Sequence, residues 1–228
     1  MNPLKCFIAS NPYGTYCVPG SSKHRPAAAA ILRGDVWEPQ TIALLIAHCA
    51  RGDIIHAGTY FGDFLPALSK ALSDGARVWA FEPSAENFRC ATITLELNDI
   101  RNVVLTNAAL GTYAGTAILR IGEIGRRPVG GGSTIAASRQ PGFLYEDVPV
   151  VAVDQMVPGD RQVSVLQLDV ERYEQQALMG ALSTIRRCLP LLVLENLPAD
   201  PQWFAQNILS LGYEGTEVID KNQVFRAR

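Results

Sequence analysis

The sequence predicts an α/β fold: a doubly wound, mostly parallel sheet covered by helices on both faces, with an antiparallel strand at its C-terminal end. Three observations predict it. Short apolar, β-branched runs alternate with longer amphipathic stretches across residues 37–211, the pattern of strands joined by helical crossovers. The first run ends in a turn bracketed by Gly58 and Gly62, and the second ends on an acid, Glu82. The chain closes on two short runs, 213–218 and 223–226, spaced as a hairpin.

Taken in order, residues 1–35 are rich in Pro, Gly, Ser and Ala and read as an irregular N-terminal arm with a short helix near 27–32; residues 36–228 form the domain. A helix begins at Pro39, whose missing N–H costs little in a first turn. Ile42, Leu45, Ile46 and Cys49 share one face of it, and Gly52 stops it. Strands at 54–57, 78–81 and 103–106 alternate with helices at 63–72 and 84–97, the second with Ser84 as N-cap. Strands at 115–121 and 148–153 flank a Gly-rich loop, 130–134. A central strand at 164–168 leads into one helix, 172–188, with Ala177, Leu178, Ala181, Leu182 and Ile185 on one face. A strand at 191–194 and a helix at 201–211 precede the closing hairpin.

Composition narrows the function. The chain has 228 residues, 48% hydrophobic and 18% charged, enough to build one sizeable core. The net charge is −2 and no basic block stands out, which argues against a nucleic-acid or anionic-membrane partner and leaves a small-molecule substrate. No apolar run reaches the ~18 residues of a membrane span, and the first residues lack the apolar core of a secretion signal. The five cysteines are odd in number and scattered, without a CxxC pair. Free thiols in a reducing cytoplasm fit, and no metal site is predicted from them. The Tyr-rich stretch at 13–16 is compatible with a lid or a homodimer contact.

Ligands of doubly wound sheets sit outside the carboxyl ends of the strands. Gly58 lets the backbone approach a ligand there, and the helix that follows presents free N–H groups. Neither the GxGxxG fingerprint nor a P-loop is present, so the turn suits a ligand without phosphates. Glu82 is placed to accept hydrogen bonds from ribose hydroxyls. A phosphate-free adenosine carrier is S-adenosylmethionine, with S-adenosylhomocysteine as its product. Asn107 and Ala108, after the third strand, fall near the adenine ring.

The stretches 53–62, 78–83, 98–103, 107–111, 151–154, 168–171 with Glu174, and 190–195 resemble, in order, the motifs of the FkbM family of S-adenosylmethionine-dependent methyltransferases. The resemblance covers residues 37–196. It implies a Rossmann-like class I methyltransferase fold and O-methylation of a sugar or secondary metabolite. Two motifs depart from the family. His56 stands where an acid is expected and Thr59-Tyr60 replace Ala-Asn; Gln167 and Arg172 replace a Lys and a Gly.

Methyl transfer to oxygen needs in-line approach and removal of the hydroxyl proton. Asp169 and Glu171 follow the central strand, Glu174 lies one helical turn beyond Glu171, and Glu195 ends the next strand. The expected catalytic residues are Asp169, Glu171, His56 and Glu195. The expected cofactor-binding residues are Glu38, His56, Gly58, Thr59, Tyr60, Gly62, Asp63, Glu82, Pro83, Asn107, Ala108 and Asp169. The acidic cluster is compatible with a divalent cation, which is not predicted. His56 is placed to sit under the methionine carboxylate or to act as a base. Ser133 and Thr134 are placed to cover the substrate. N-methylation of a small amine, or a non-catalytic cofactor-binding module, are the alternatives.

Overall fold

The computed structural model describes residues 4–49 and 52–228. Residues 1–3, where the irregular arm was expected to start, and 50–51, just before the expected helix stop at Gly52, lie outside the described residues.

The central sheet has seven strands. β3 (Asp53–Ala57), β4 (Val78–Phe81), β5 (Val103–Thr106), β10 (Val163–Leu168) and β11 (Leu191–Leu194) run parallel, and β12 (Tyr213–Ile219) and β13 (Asn222–Ala227) close it antiparallel. The order β12-β13-β11-β10-β3-β4-β5 reverses direction between β3 and β10. The parallel strands β3, β4 and β11 are buried throughout; β4 and β11 are unbroken apolar runs, while β3 also buries Asp53 and His56.

Helices cover both faces. α2 (Pro39–His48) and α3 (Leu65–Ala71) pack on one face, burying Ile42, Leu45, Leu65 and Leu68 against Ile54, Val78 and Val193. α6 (Glu174–Met179), α7 (Leu182–Cys188) and α8 (Pro201–Asn207) cover the other, burying Ala177, Leu178, Ile185 and Phe204 against Ile55, Leu166 and Leu192. α4 (Ala85–Leu97) follows β4. A second sheet, β6-β9-β7-β8, is built from Ala109–Leu110 (β6), Gly115–Glu123 (β7), Thr134–Ala136 (β8) and Phe143–Val151 (β9). A short α5 (Val153–Met156) leads back to β10.

Two expectations need correction. The stretch read as an irregular arm holds an antiparallel hairpin, β1 (Cys6–Asn11) and β2 (Gly14–Pro19), before α1 (Pro26–Leu32). An Asx turn makes it: Asn11 Oδ1 accepts from the N–H of Tyr13 at 2.8 Å and of Gly14 at 3.3 Å. Its inner edge is satisfied by α4 side chains, Thr94 accepting from Cys17 N–H at 3.0 Å and Asn98 from Thr15 N–H at 2.9 Å. Tyr16 is fully buried, so the tyrosine stretch packs inward.

The helix expected over 172–188 is two helices. A Cβ on Gly180 would lie 2.0 Å from the carbonyl of Gly111, so only glycine admits that close approach. The Gly180 carbonyl accepts from Asp154 N–H, and the Asp154 carboxylate caps the second helix at Ser183 N–H and Thr184 N–H, both at 2.8 Å. Ser84 occupies the N-cap position of α4 as expected, without a side-chain cap bond.

Candidate active site

Backbone hydrogen bonds extend the sheet one step past its strands. Gly58 N–H donates to Phe81 O, Asp169 N–H to Ala57 O, Glu195 N–H to Leu168 O and Glu82 N–H to Thr106 O. Gly58, Glu82, Asp169 and Glu195 are thereby drawn to one edge, at the carboxyl ends of β3, β4, β10 and β11. A cavity with two connected halves opens above them.

The first half is an apolar recess. Ala57, Phe81, Pro83, Ala108, Leu119 and Ile135 wall it, and Glu82 is its buried acid. The second half is polar, with Glu38, His56, Tyr60, Asp63, Glu195 and the cations Arg25 and Lys221 on its walls. Gly58, Gly131, Asp169 and Glu171 belong to both.

Glu82 is 4% exposed and already well engaged. It accepts from Tyr60 N–H at 2.8 Å, Ser84 N–H at 2.9 Å and Asn87 Nδ2 at 3.3 Å. A carboxylate offers about four acceptor sites, so one remains for a ligand hydroxyl. Burial raises its pKa to about 7. Tyr60 holds the turn at φ +53°, a left-handed conformation unfavourable for a tyrosine. The bond to Glu82 and a 2.6 Å bond between its hydroxyl and Ser22 Oγ hold it there.

Asp169, Glu171 and Glu195 present oxygens within 4.8 Å of one another, a spacing that would admit a cation. Burial and the facing Glu195 raise the pKa of Asp169 well above the usual carboxylate range. Burial and Glu195 bring Glu171 to about 7. Asp63 reaches about 7 through burial and the charge of Glu38. Glu174 neighbours this cluster without joining its three oxygens. It is buried and accepts from Asn196 Nδ2 at 3.4 Å rather than sharing a helical face with Glu171, because Glu171 and Arg172 adopt φ +51° and +73° and the helix starts only after them.

Several expected residues act on the scaffold. Thr59 is fully buried and donates to His56 O at 3.2 Å. A Cβ on Gly58 would lie 1.8 Å from Asp169 O, so this glycine permits the crossing of two backbones. Gly62 packs close to Leu65 and Ala91. Asn107 donates to the carbonyls of Glu82 and Pro83 at 2.8 and 3.0 Å, holding the loop that carries the acid. Ser133 lines the apolar recess, while Thr134 begins β8.

The sequence did not single out Arg25, Asp220 or Lys221. Arg25 comes from the N-terminal segment and lies against Gly132 and Glu171. Asp220 sits in the β12–β13 turn, where Asp220 and Lys221 have φ +47° and +77°. Its carboxylate caps α2, accepting from Gln40 N–H, Thr41 N–H and Thr41 Oγ1 at 2.9–3.2 Å. The two-residue hairpin turn is the available signal for it.

The sequence profile of the methyltransferase FkbM domain matches residues 56–220, most of the chain. The chain belongs to the FkbM methyltransferase family. Its fold is shared with a methyltransferase FkbM of known structure from Methylobacillus flagellatus KT, at 15% identity and TM-score 0.54 over 78% of this chain. The chain spans 44% of that structure's length. A SAM-dependent methyltransferase from Aquifex aeolicus is more distant, 12% identical with TM-score 0.45 over 89% of this chain and 92% of its own. No curated protein sequence matches the chain.

Against the family pattern, two departures prove to be neighbours. His56 and Gln167 are register partners across β3 and β10, with His56 Nδ1 2.5 Å from Gln167 Oε1. Arg172, where the family carries glycine, sits at φ +73°. Among the described residues no helix is long and apolar enough to cross a membrane.

Proposed function

We propose that this chain transfers a methyl group from S-adenosylmethionine to a hydroxyl of a small polar molecule, a sugar or a secondary metabolite. The observation that carries this reading is the two-part cavity: an apolar recess beside a buried acid, continuous with a polar chamber ending on three carboxylates. That division suits a ligand with a nucleoside at one end and an amino acid at the other. The cofactor, when bound, supplies an electrophilic methyl on a sulfonium.

The chain supplies the rest. Glu82 offers its free acceptor site to a ribose hydroxyl. Ala108 and Pro83 contact the base. Glu171, raised to about 7 and lining both halves, takes the acceptor's proton near neutral pH. Asp169 and Glu195 hold the acceptor's remaining hydroxyls. The excess of carboxylates over cations in the polar chamber also supports a second reading, transfer to an amine.

Calorimetric titration with S-adenosylmethionine and then S-adenosylhomocysteine tests the cofactor; binding of neither ends both readings. Transfer of labelled methyl to a panel of small polyols and amines then separates the two. Release of label as a methyl ether supports the first, and as a methylamine the second.

A further inference from the structure

His56 is 3% exposed, and its Nε2 is the one buried side-chain nitrogen or oxygen, among the described residues, without a hydrogen-bond partner. An unpaired buried polar atom destabilises a fold unless something pairs with it. Its identity as donor or acceptor follows from the other ring nitrogen. With the Gln167 amide oriented so that its oxygen, which can only accept, faces the ring, Nδ1 carries the proton. Burial lowers the pKa of the ring to about 4, so the imidazole is neutral at pH 7. A neutral ring with its proton on Nδ1 leaves a bare lone pair on Nε2.

The ring cannot turn away easily. It stacks on Phe64, with centroids 5.4 Å apart and planes 10° from parallel. Its register with Gln167 is fixed by strand pairing. His56 and Gln167 both belong to the wall of the polar chamber, beside Glu38, Asp63 and Asp169. A lone pair in such surroundings attracts an N–H donor and repels a carboxylate.

On the reading of this cavity as an S-adenosylmethionine site, we propose that His56 Nε2 accepts a hydrogen bond from the α-ammonium of the cofactor's amino-acid half, with Gln167 as the positioning residue that fixes the tautomer. The carboxylate of that half is then left to Arg25 or Lys221, the cations of the chamber. This reverses the expectation that His56 lies under the carboxylate, because a neutral acceptor has nothing to offer an anion.

The test compares three probes by calorimetry: S-adenosylhomocysteine, its analogue lacking the α-amino group, and methylthioadenosine, which lacks the amino-acid end. Wild type binds S-adenosylhomocysteine at least about tenfold tighter than the deaminated analogue, the worth of one hydrogen bond to a charged group. His56→Phe, which keeps the ring stacked on Phe64, brings that ratio within about twofold and leaves methylthioadenosine affinity unchanged. An unchanged ratio in the variant overturns the role of His56 while the cofactor reading stands. Failure of wild type to bind any of the three ends the cofactor reading and this inference with it.

Nitrogen-15 spectra of the wild-type protein decide the matter even where the variant does not fold. The chain has three histidines, so the spectrum is simple. His56 shows a protonated Nδ1 and a bare Nε2 whose resonance moves with S-adenosylhomocysteine and stays with methylthioadenosine. A protonated Nε2, or an equal response to both ligands, overturns the proposal. Gln167→Leu removes the tautomer preference in the same spectra without changing methylthioadenosine affinity.

Discussion

Replacing Glu82 by glutamine changes one heavy atom and tests the proposed nucleoside end of the site. The carboxylate accepts from two backbone N–H groups at 2.8 and 2.9 Å, one on each oxygen. A glutamine must turn its NH2 toward one of them, setting donor against donor. An unsatisfied buried donor costs about 1–3 kcal/mol, which for a chain of this size lowers Tm by roughly 2–10 °C. The remaining acceptor site loses its charge as well, and a hydrogen bond to a charged group is worth about 1.5–3 kcal/mol. S-adenosylhomocysteine affinity therefore falls by roughly tenfold to a hundredfold. Because burial raises this carboxyl to about 7, binding to its ionised form strengthens as pH rises from 6 to 8, with release of a proton. Calorimetry in buffers of different ionisation enthalpy measures that proton, and thermal unfolding measures the stability loss. A lowered Tm with unchanged ligand affinity would refute the placement of the ribose at Glu82.

Further outcomes follow from the same geometry. Arg172→Gly relieves a left-handed backbone costing about 1–2 kcal/mol and forfeits about 0.5–1 kcal/mol of chain entropy. Tm rises by a few degrees with ligand binding intact, and a fall in Tm refutes the strain at this position. Asp53→Ala strips the bidentate partner of Arg161 and leaves Trp79 Nε1–H and Arg77 N–H unpaired at the opposite end of β3. It destabilises by about 3 kcal/mol or more, and the folded fraction still binds ligand with wild-type affinity if Asp53 serves structure alone. Glu82, Asp63 and Glu171 titrate near 7 in the folded protein and lower when unfolded, so the native state binds more protons between those values. Stability of the unliganded protein accordingly rises as pH falls from 8 to 6.5. His56, with its pKa lowered to about 4, opposes that trend weakly as pH nears 6.5 and more strongly below it. A flat or falling Tm across pH 8 to 6.5 would show that these acids are not held in their buried state.

Local pattern revealed the elements whose signal is local. β4 and β11 were legible because strands buried on both faces are apolar throughout, β3 because its short run leads into a turn bracketed by glycines, and α2 because Pro39 marks its first turn. The β1–β2 hairpin was hidden by its Pro, Gly and Ser content, since its edge is completed by Thr94 and Asn98 of a distant helix. The break between α6 and α7 was hidden because a helical face continues across it, and the cause is the carbonyl of Gly111. Glu82, Asp169, Glu171 and Glu195 were readable as strand-end acids. Arg25, Asp220 and Lys221 were not, because each reaches the cavity from a segment without a motif.

The sequence by itself determined the alternation of strands and helices, the family pattern and the strand-end acids, all of which are written in spacing along one chain. Only the tertiary structure decided how those groups meet. Parallel pairing of β3 with β10 placed His56 opposite Gln167 and so turned two separate departures into one neutral, hydrogen-bonded pair. The same packing consumed three of the four acceptor sites of Glu82, and it set Asp169, Glu171 and Glu195 within reach of one another. Register, burial and lone-pair direction are properties of neighbours in space, and no run of residues encodes them alone.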